Sequence, residues 1–272
     1  MKKTFPFLAA LFIFVHDAHA SSSDYLRVPN IHSLAMGGSG IVTDAFSNPS
    51  VMELSSSRSV GVEYFNRYGL KELGTAQGYF LFPNPILSFG VHISSFGYEQ
   101  FKMLMGRCLL SKRLNERWNI GVSFQYAYLQ SELYETKPAK VSTDLGIVYN
   151  PFENLFIAFT VQDFPSFQLT SKTVDINEFK SYRMEAGINW NIMNGLLITS
   201  YGALNEQQDV MAGIGMEYKV YSCFALRAGV QTLPFLPSIG LGIHLNGFQI
   251  DAVAIWHPEL GINSGIGLSY SF

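Results

Sequence analysis

The side chains able to do chemistry are few and scattered. Beyond the first twenty residues the only histidines are His32, His92, His244 and His257. Nucleophilic catalysis needs a hydroxyl or thiol, a base and an orienting group within reach. None of these histidines lies in a recognisable motif with a serine. Metal binding needs His, Cys or carboxylate ligands at short spacing, and no such cluster occurs. Cys108 and Cys223 are far apart, each within an apolar run, and read as small hydrophobic residues rather than a disulfide scaffold. Leu34-Ala35-Met36-Gly37-Gly38-Ser39-Gly40 is glycine-rich, but a phosphate cradle also needs a preceding strand and a Lys-Ser/Thr pair. Both are missing. The reading is therefore non-enzymatic, with no catalytic residue, no metal and no cofactor. What remains is physical: which positions meet apolar surroundings and which meet polar ones.

Composition narrows those surroundings. Only 14% of the 272 residues are charged, against roughly 25% in an ordinary soluble domain. Aromatic residues also reach 14%, and there are 24 glycines. This balance opposes disorder. With 18 Lys+Arg against 21 Asp+Glu there is no basic footprint for nucleic acid. The mean hydropathy of +0.15 is too mild for a helical membrane bundle, and past the N-terminus no apolar run approaches the roughly 20 residues of a spanning helix. A lipid-facing β-barrel and a large secreted β-sandwich both fit.

The first segment reads as a targeting signal. Lys2 and Lys3 precede an apolar stretch from Phe5 to Val15, and Ala18-His19-Ala20 has the small-x-small form of a cleavage site. Residues 1–20 are thus expected to be a signal peptide, cleaved after Ala20.

From Arg58 onward one pattern recurs: about ten residues alternating apolar and polar, then a turn. Strand side chains alternate between two faces, so the pattern reports two environments. Trp118, Ile120, Val122, Phe124, Tyr126 and Tyr128 share one face; Asn119, Gly121, Ser123, Gln125 and Ala127 share the other. Residues 182–191, 239–246 and 262–272 repeat it. The candidate strands are 58–67, 72–82, 85–95, 99–110, 117–129, 140–150, 153–163, 181–191, 195–204, 208–219, 222–231, 236–246, 248–257 and 262–272. That makes about 14. A count of 12 is also compatible, because 72–82 and 99–110 alternate poorly and 195–204 holds three consecutive aliphatic residues. Most even-to-odd connections are short, with Ser111 to Glu116 the exception, and the long connections 130–139 and 164–180 both fall between odd and even strands, as in outer-membrane barrels. The expected fold is an all-β, antiparallel transmembrane barrel over 58–272.

On this register Asp144, Arg183, Glu185, Glu217, Arg227 and Asp251 fall opposite the aliphatic face, with His92 and His244. They are candidate polar residues of the lumen, since hydrocarbon tolerates almost no charge. Trp118, Tyr128, Tyr149, Trp190, Tyr218 and Trp256 sit at strand ends and suit an interfacial girdle, or simple packing between sheets. The lumen face reads as Gly, Ser, Asn and mixed charge, without the apolar pocket that a hydrophobic-solute channel needs. Segment 164–180, with Phe164, Pro165, Phe167 and Leu169, is a candidate outer loop, for binding or merely for shielding the rim.

Residues 21–57 do not alternate and are expected in or under the barrel. Glycine there permits close backbone approach in a crowded lumen. Asn48-Pro49 is a turn signal, and Pro49 suits the start of a short helix over 50–54.

Two motifs point to a family. The chain ends Gly267-Leu268-Ser269-Tyr270-Ser271-Phe272, which resembles the C-terminal assembly signal of outer-membrane barrels through Gly267, Tyr270 and Phe272. Ala35-Met36-Gly37-Gly38, followed by Asp44 and Asn48-Pro49-Ser50, resembles the N-terminal pattern of FadL/PorV-like barrels. Ser39 and Ser50 stand where that pattern has alanine. The resemblance implies a 14-stranded barrel in a Gram-negative outer membrane, with an N-terminal Gly-rich plug. It implies outer-membrane lipid and the barrel-assembly machinery as partners. It also implies either a PorV/PorQ-type accessory role in type IX secretion, with secretion-system components as partners, or FadL-like passive transport of hydrophobic solutes. The polar lumen face tips the reading towards the accessory. A barrel-wall lipid hydrolase and a soluble secreted β-protein are the lesser alternatives.

Overall fold

The computed structural model describes residues 25–131, 137–169, 182–206 and 209–272. Fourteen antiparallel strands close into a barrel: β1 (Ser59–Asn66), β2 (Gly74–Phe82), β3 (Ser88–Tyr98), β4 (Phe101–Arg113), β5 (Trp118–Ser131), β6 (Ala139–Phe152), β7 (Leu155–Gln162), then β9 (Arg183–Met193), β10 (Leu196–Asn205), β11 (Val210–Tyr221), β12 (Phe224–Gln231), β13 (Leu236–Leu245), β14 (Phe248–His257) and β15 (Gly261–Ser271). Each pairs with its sequence neighbours, and β1 pairs with β15, so Ser59 lies opposite Ser271. Closure leaves no free edge, the condition for placing strands in lipid. A fifteenth, short strand, β8 (Ser166–Gln168), pairs with Lys140–Ser142 beyond the end of the β6–β7 ladder. The break between β7 and β8 falls at Asp163, whose φ of 59° lies in the left-handed region that Asp tolerates better than most residues.

The register puts the aliphatic and aromatic residues outside. Val62, Ile93, Phe124, Leu145, Ile214, Ile239 and Ile266 are all exposed, which in a membrane means facing lipid. Trp118 and Tyr149 stack at the short-turn end, 4.3 Å between centroids, and Trp190, Tyr218 and Trp256 are also exposed near strand ends. Tyr128 is half-buried. Among the described residues no helix is long and apolar enough to cross a membrane, which says nothing against a barrel.

Several boundaries differ from the sequence reading. Lys71–Leu73 form a 3-10 turn, so β2 begins at Gly74 rather than 72. Strand β4 runs to Arg113, which shortens the next connection to residues 114–117. Strands β2 and β4 alternate poorly because their inward residues include Tyr79, Leu81, Met103, Met105 and Leu109, which pack against apolar residues inside the barrel. Of the candidate loop 164–180, residues 166–168 form β8, and 170–180 lie outside the described residues, as does the expected signal peptide.

Residues 25–54 thread the lumen. The helical turn α1 (Ile31–Leu34) is capped by Asn30, whose side chain accepts from the Ser33 N–H. A 3-10 segment, Pro49–Leu54, follows Asn48, and Pro49 starts it where a missing N–H costs nothing. Leu26 packs in the long-loop half of the barrel, against Phe96, Met103 and Leu129. Glu53 lies at the opposite end, beside Ser111 and Arg113. From there the chain turns back into β1.

Candidate functional site in the barrel lumen

The threaded segment is seated on two glycine platforms. On the β11–β13 wall, Ala35, Met36 and Gly37 lie against Gly215, Gly229 and Gly240. A Cβ at Gly215 would stand 2.3 Å from the Met36 carbonyl oxygen, and one at Gly229 would stand 2.2 Å from the Gly37 nitrogen. No side chain larger than hydrogen fits there. Gly37 and Gly38 have φ of 70° and 77°, which only glycine adopts without strain. The Gly37 N–H donates to the Ser238 hydroxyl, which in turn donates to the Ala35 carbonyl. On the far wall, Asn48-Pro49-Ser50 lies over Gly121 of β5 and Gly146 of β6. A Cβ at Gly146 would meet Asn48 Oδ1 at 1.9 Å, and one at Gly121 the Ser50 nitrogen at 2.4 Å. The two halves of the N-terminal motif are thus two places where plug backbone packs directly on wall glycines.

Between the platforms Asp44 holds the segment in shape. Its carboxylate accepts from the Phe46 and Asn30 N–H groups and the Ser47 hydroxyl, at 2.9–3.1 Å. Burial pushes its pKa up, and these donors offset part of that shift. Asn48 donates to the Ile41 carbonyl and accepts from the Ser50 N–H and hydroxyl.

Charge enters the lumen in two networks and a further pair. Asp144 of β6 accepts from Arg27 of the plug at 2.9 Å, and Asp163 at the β7–β8 break does the same. Lys140 reaches Asp163 at 3.1 Å, and Ser123 donates to Asp144. Burial alone would lower the Arg27 pKa, but the charges of Asp144 and Asp163 outweigh it and hold it above its ordinary value. Burial likewise opposes ionisation of Asp163, yet Arg27 and Lys140 pull its pKa down to about 2. Across the barrel, Arg227 bridges Glu217 at 2.7 Å and Asp251 at 2.6 Å, and His32 of the plug reaches Glu217 at 2.8 Å. Arg183 pairs with Glu185 on the same strand. So the six lumen candidates face inward, but as three separate groups: Asp144 with Arg27, Arg183 with Glu185, and Glu217 with Arg227 and Asp251. His92 is buried against Phe46, ring centroids 4.2 Å apart, and His244 faces the short-turn half. Gly267, Tyr270 and Phe272 form the last turn of wall beside β1, with the Phe272 N–H donating to the Arg58 carbonyl. Among the described residues no three His, Cys, Asp or Glu side chains come together to hold a metal ion.

The sequence reading missed Arg27, Arg107, Lys140, Asp163, Glu63 and Gln77. Arg107 and Glu63 carry the same alternation as the six, and extending the register to β1 and β4 finds them. Arg27 and Asp163 lie outside any strand, and no periodicity marks them.

The expectation of a uniformly polar lumen is corrected. In the long-loop half one side of the wall is apolar: Phe65, Phe96, Met103, Leu129, Val253 and Ile255 all point inward and are buried, while Lys140, Asp163 and Arg183 line the other side. Tyr25, Leu26, Val28, Ile31 and Leu34 of the plug fill the space between them. Tyr25 stacks on Phe96 at 4.6 Å, and the Arg67 guanidinium lies 5.1–5.5 Å from the rings of Phe65, Tyr25 and Phe96. In the short-turn half the lining is mixed, with Lys219, His244 and Gln249 on β11, β13 and β14 and the apolar Leu81 and Leu109 on β2 and β4. Each inward position was read from its own strand. The apolar patch arises only when β1, β3, β4, β5 and β14 are brought side by side.

A closed antiparallel barrel with a lipid-compatible outer band and its own N-terminal segment inside is the architecture of a plugged outer-membrane barrel. More narrowly, it is the fold of the FadL/TodX-type barrels. The toluene transporter TodX of P. putida superposes with a TM-score of 0.64 at 11% identity, over 88% of this chain and 97% of that one. A Pseudomonas aeruginosa FadL homologue gives 0.60 at 12% identity, over 91% and 99%. The Acinetobacter baumannii outer membrane protein Omp33 gives 0.53 at 11%, over 81% and 100%. No protein-family model and no curated protein matches the sequence.

Proposed function

We propose that this protein is a non-enzymatic, FadL-like outer-membrane channel for hydrophobic small molecules. This replaces the secretion-accessory role as the leading reading. The observation that carries it is the apolar patch on one side of the long-loop half of the lumen, where Phe96, Met103 and Leu129 enclose Leu26. A surface that buries leucine and tyrosine side chains offers the same free energy to an apolar solute, about 25 cal/mol per Å2 removed from water. The long-loop end then faces outward and the short turns face the periplasm. Neighbours of the same fold named as a toluene transporter and a monoaromatic hydrocarbon channel support the substrate class. A PorV/PorQ-like accessory role retains one supporting observation: the plug spans the lumen from end to end.

The test is uptake of radiolabelled toluene and of a long-chain fatty acid by cells expressing the protein in a host lacking its own channel. We expect uptake of at least one probe above the empty-vector control, and its loss on Met103→Glu. Correctly assembled, heat-modifiable barrel with no uptake of either probe would overturn the channel. Co-purification of secretion-system components would then favour the accessory. Export predicts a mature chain beginning at Ser21, to be read by N-terminal sequencing.

A further inference from the structure

A concavity of about 520 Å3 lies on the membrane face of β4–β7, outside the lumen. Its walls include Leu110 and Lys112 of β4, Ile120 of β5, Leu145 and Ile147 of β6, and Phe159 of β7. Gly121 and Gly146 form its floor. These are the two glycines that rest on Asn48-Pro49-Ser50 from the other side. The groove therefore lies over a stretch of wall that lacks side chains on its inner face and is backed by the plug.

Its second feature is charge. Among the described strand residues that face lipid, only Lys102 and Lys112 are charged, and both are on β4. Lys102 is at the long-loop end. Lys112 is at the short-turn end, in register with Ile120, one outward position from the Trp118–Tyr149 stack. Stacked aromatics of this kind mark headgroup height. No carboxylate among the described residues pairs with Lys112. A lone ammonium at the boundary of an apolar groove fits an amphiphile with an anionic head. On the periplasmic side of an outer membrane that amphiphile is a phospholipid.

We propose that this groove is a binding site for one anionic phospholipid of the inner leaflet, an acyl chain lying across Leu145 and Ile147 and the phosphate paired with Lys112 Nζ. Ordinary annular lipid would cover the same surface with no preference for head charge. The site rests on the barrel and its orientation, and it stands or falls independently of solute uptake.

Native mass spectrometry of the detergent-solubilised full chain, titrated with phosphatidylglycerol and separately with phosphatidylethanolamine, tests it. Wild type is expected to retain one phosphatidylglycerol in preference to phosphatidylethanolamine. Lys112→Gln should lower that retention about two- to fivefold, the range of a partly exposed ion pair. Lys102→Gln should leave it unchanged. Leu145→Trp, which fills the groove, should abolish it in the folded fraction identified by heat-modifiable mobility. Equal retention by wild type and Lys112→Gln, or an equal loss in Lys102→Gln, would overturn the site. So would equal retention of the two lipids by wild type.

Discussion

Arg27 is the residue on which the plug's electrostatic attachment turns. It is a single cation serving two buried carboxylates, Asp144 and Asp163, at 2.9 Å each. Removing it leaves Asp163 to Lys140 and Asp144 to Arg107 at 3.9 Å, a buried network short of one cation, at a cost of about 3 kcal/mol. Arg27→Ala should therefore open the N-terminal segment, and cleavage within residues 25–54 by added protease should rise on the order of 100-fold. The same network fixes a pH dependence. The Asp163 pKa is depressed to about 2, so the stability it contributes is fully present above its ordinary pKa of about 4. It is lost as pH falls through the folded value. Protease protection of the plug should be level from neutral pH to about 5 and fall only between about pH 4 and 2. Loss of protection already at about pH 6 would assign the attachment to a histidine instead.

At the scale of elements, the plug is held by shape as much as by charge. Gly121 meets the backbone of Pro49 and Ser50, and Gly146 meets Asn48, itself held by hydrogen bonds to Ile41 and Ser50. Neither neighbour can yield cheaply. Gly121→Ala and Gly146→Ala should each cost about 1–3 kcal/mol of overpacking and loosen the 48–54 segment from the wall. In planar bilayers both should raise conductance above wild type. Gly106→Ala is the control, because a Cβ there meets nothing within 4 Å, and its conductance should match wild type. A rise in all three, or in none, would separate the plug from the glycine platforms.

For the whole molecule, closure is the decisive event. The ladder between β1 and β15 joins the first strand to the last, across residues 59–66 and 264–271. Nothing local stabilises that pairing before the other strands are in place, and loop closure over such a separation is costly. Phe272 lies at this seam, stacked near Tyr270 at 5.9 Å. Deleting Phe272 should lower the amount of heat-modifiable barrel in outer membranes severalfold while leaving total synthesis unchanged. Undiminished assembly would show that the terminal aromatic is packing only.

The sequence by itself determined the strands, their inward and outward faces and the presence of a segment that does not alternate. Each of these follows from a period of two along one chain, which adjacent residues report directly. It also marked Ala35–Gly38 and Asn48–Pro49 as places needing small residues or a turn, without saying against what. Only the tertiary structure decided that these motifs sit on Gly215, Gly229, Gly121 and Gly146, because contact between plug and wall joins residues up to about two hundred positions apart. It alone gathered Phe65, Phe96, Met103, Leu129, Val253 and Ile255 into one apolar patch on the lumen wall. Such a patch is a property of neighbouring strands at one height, and height is set by register, which no single strand carries.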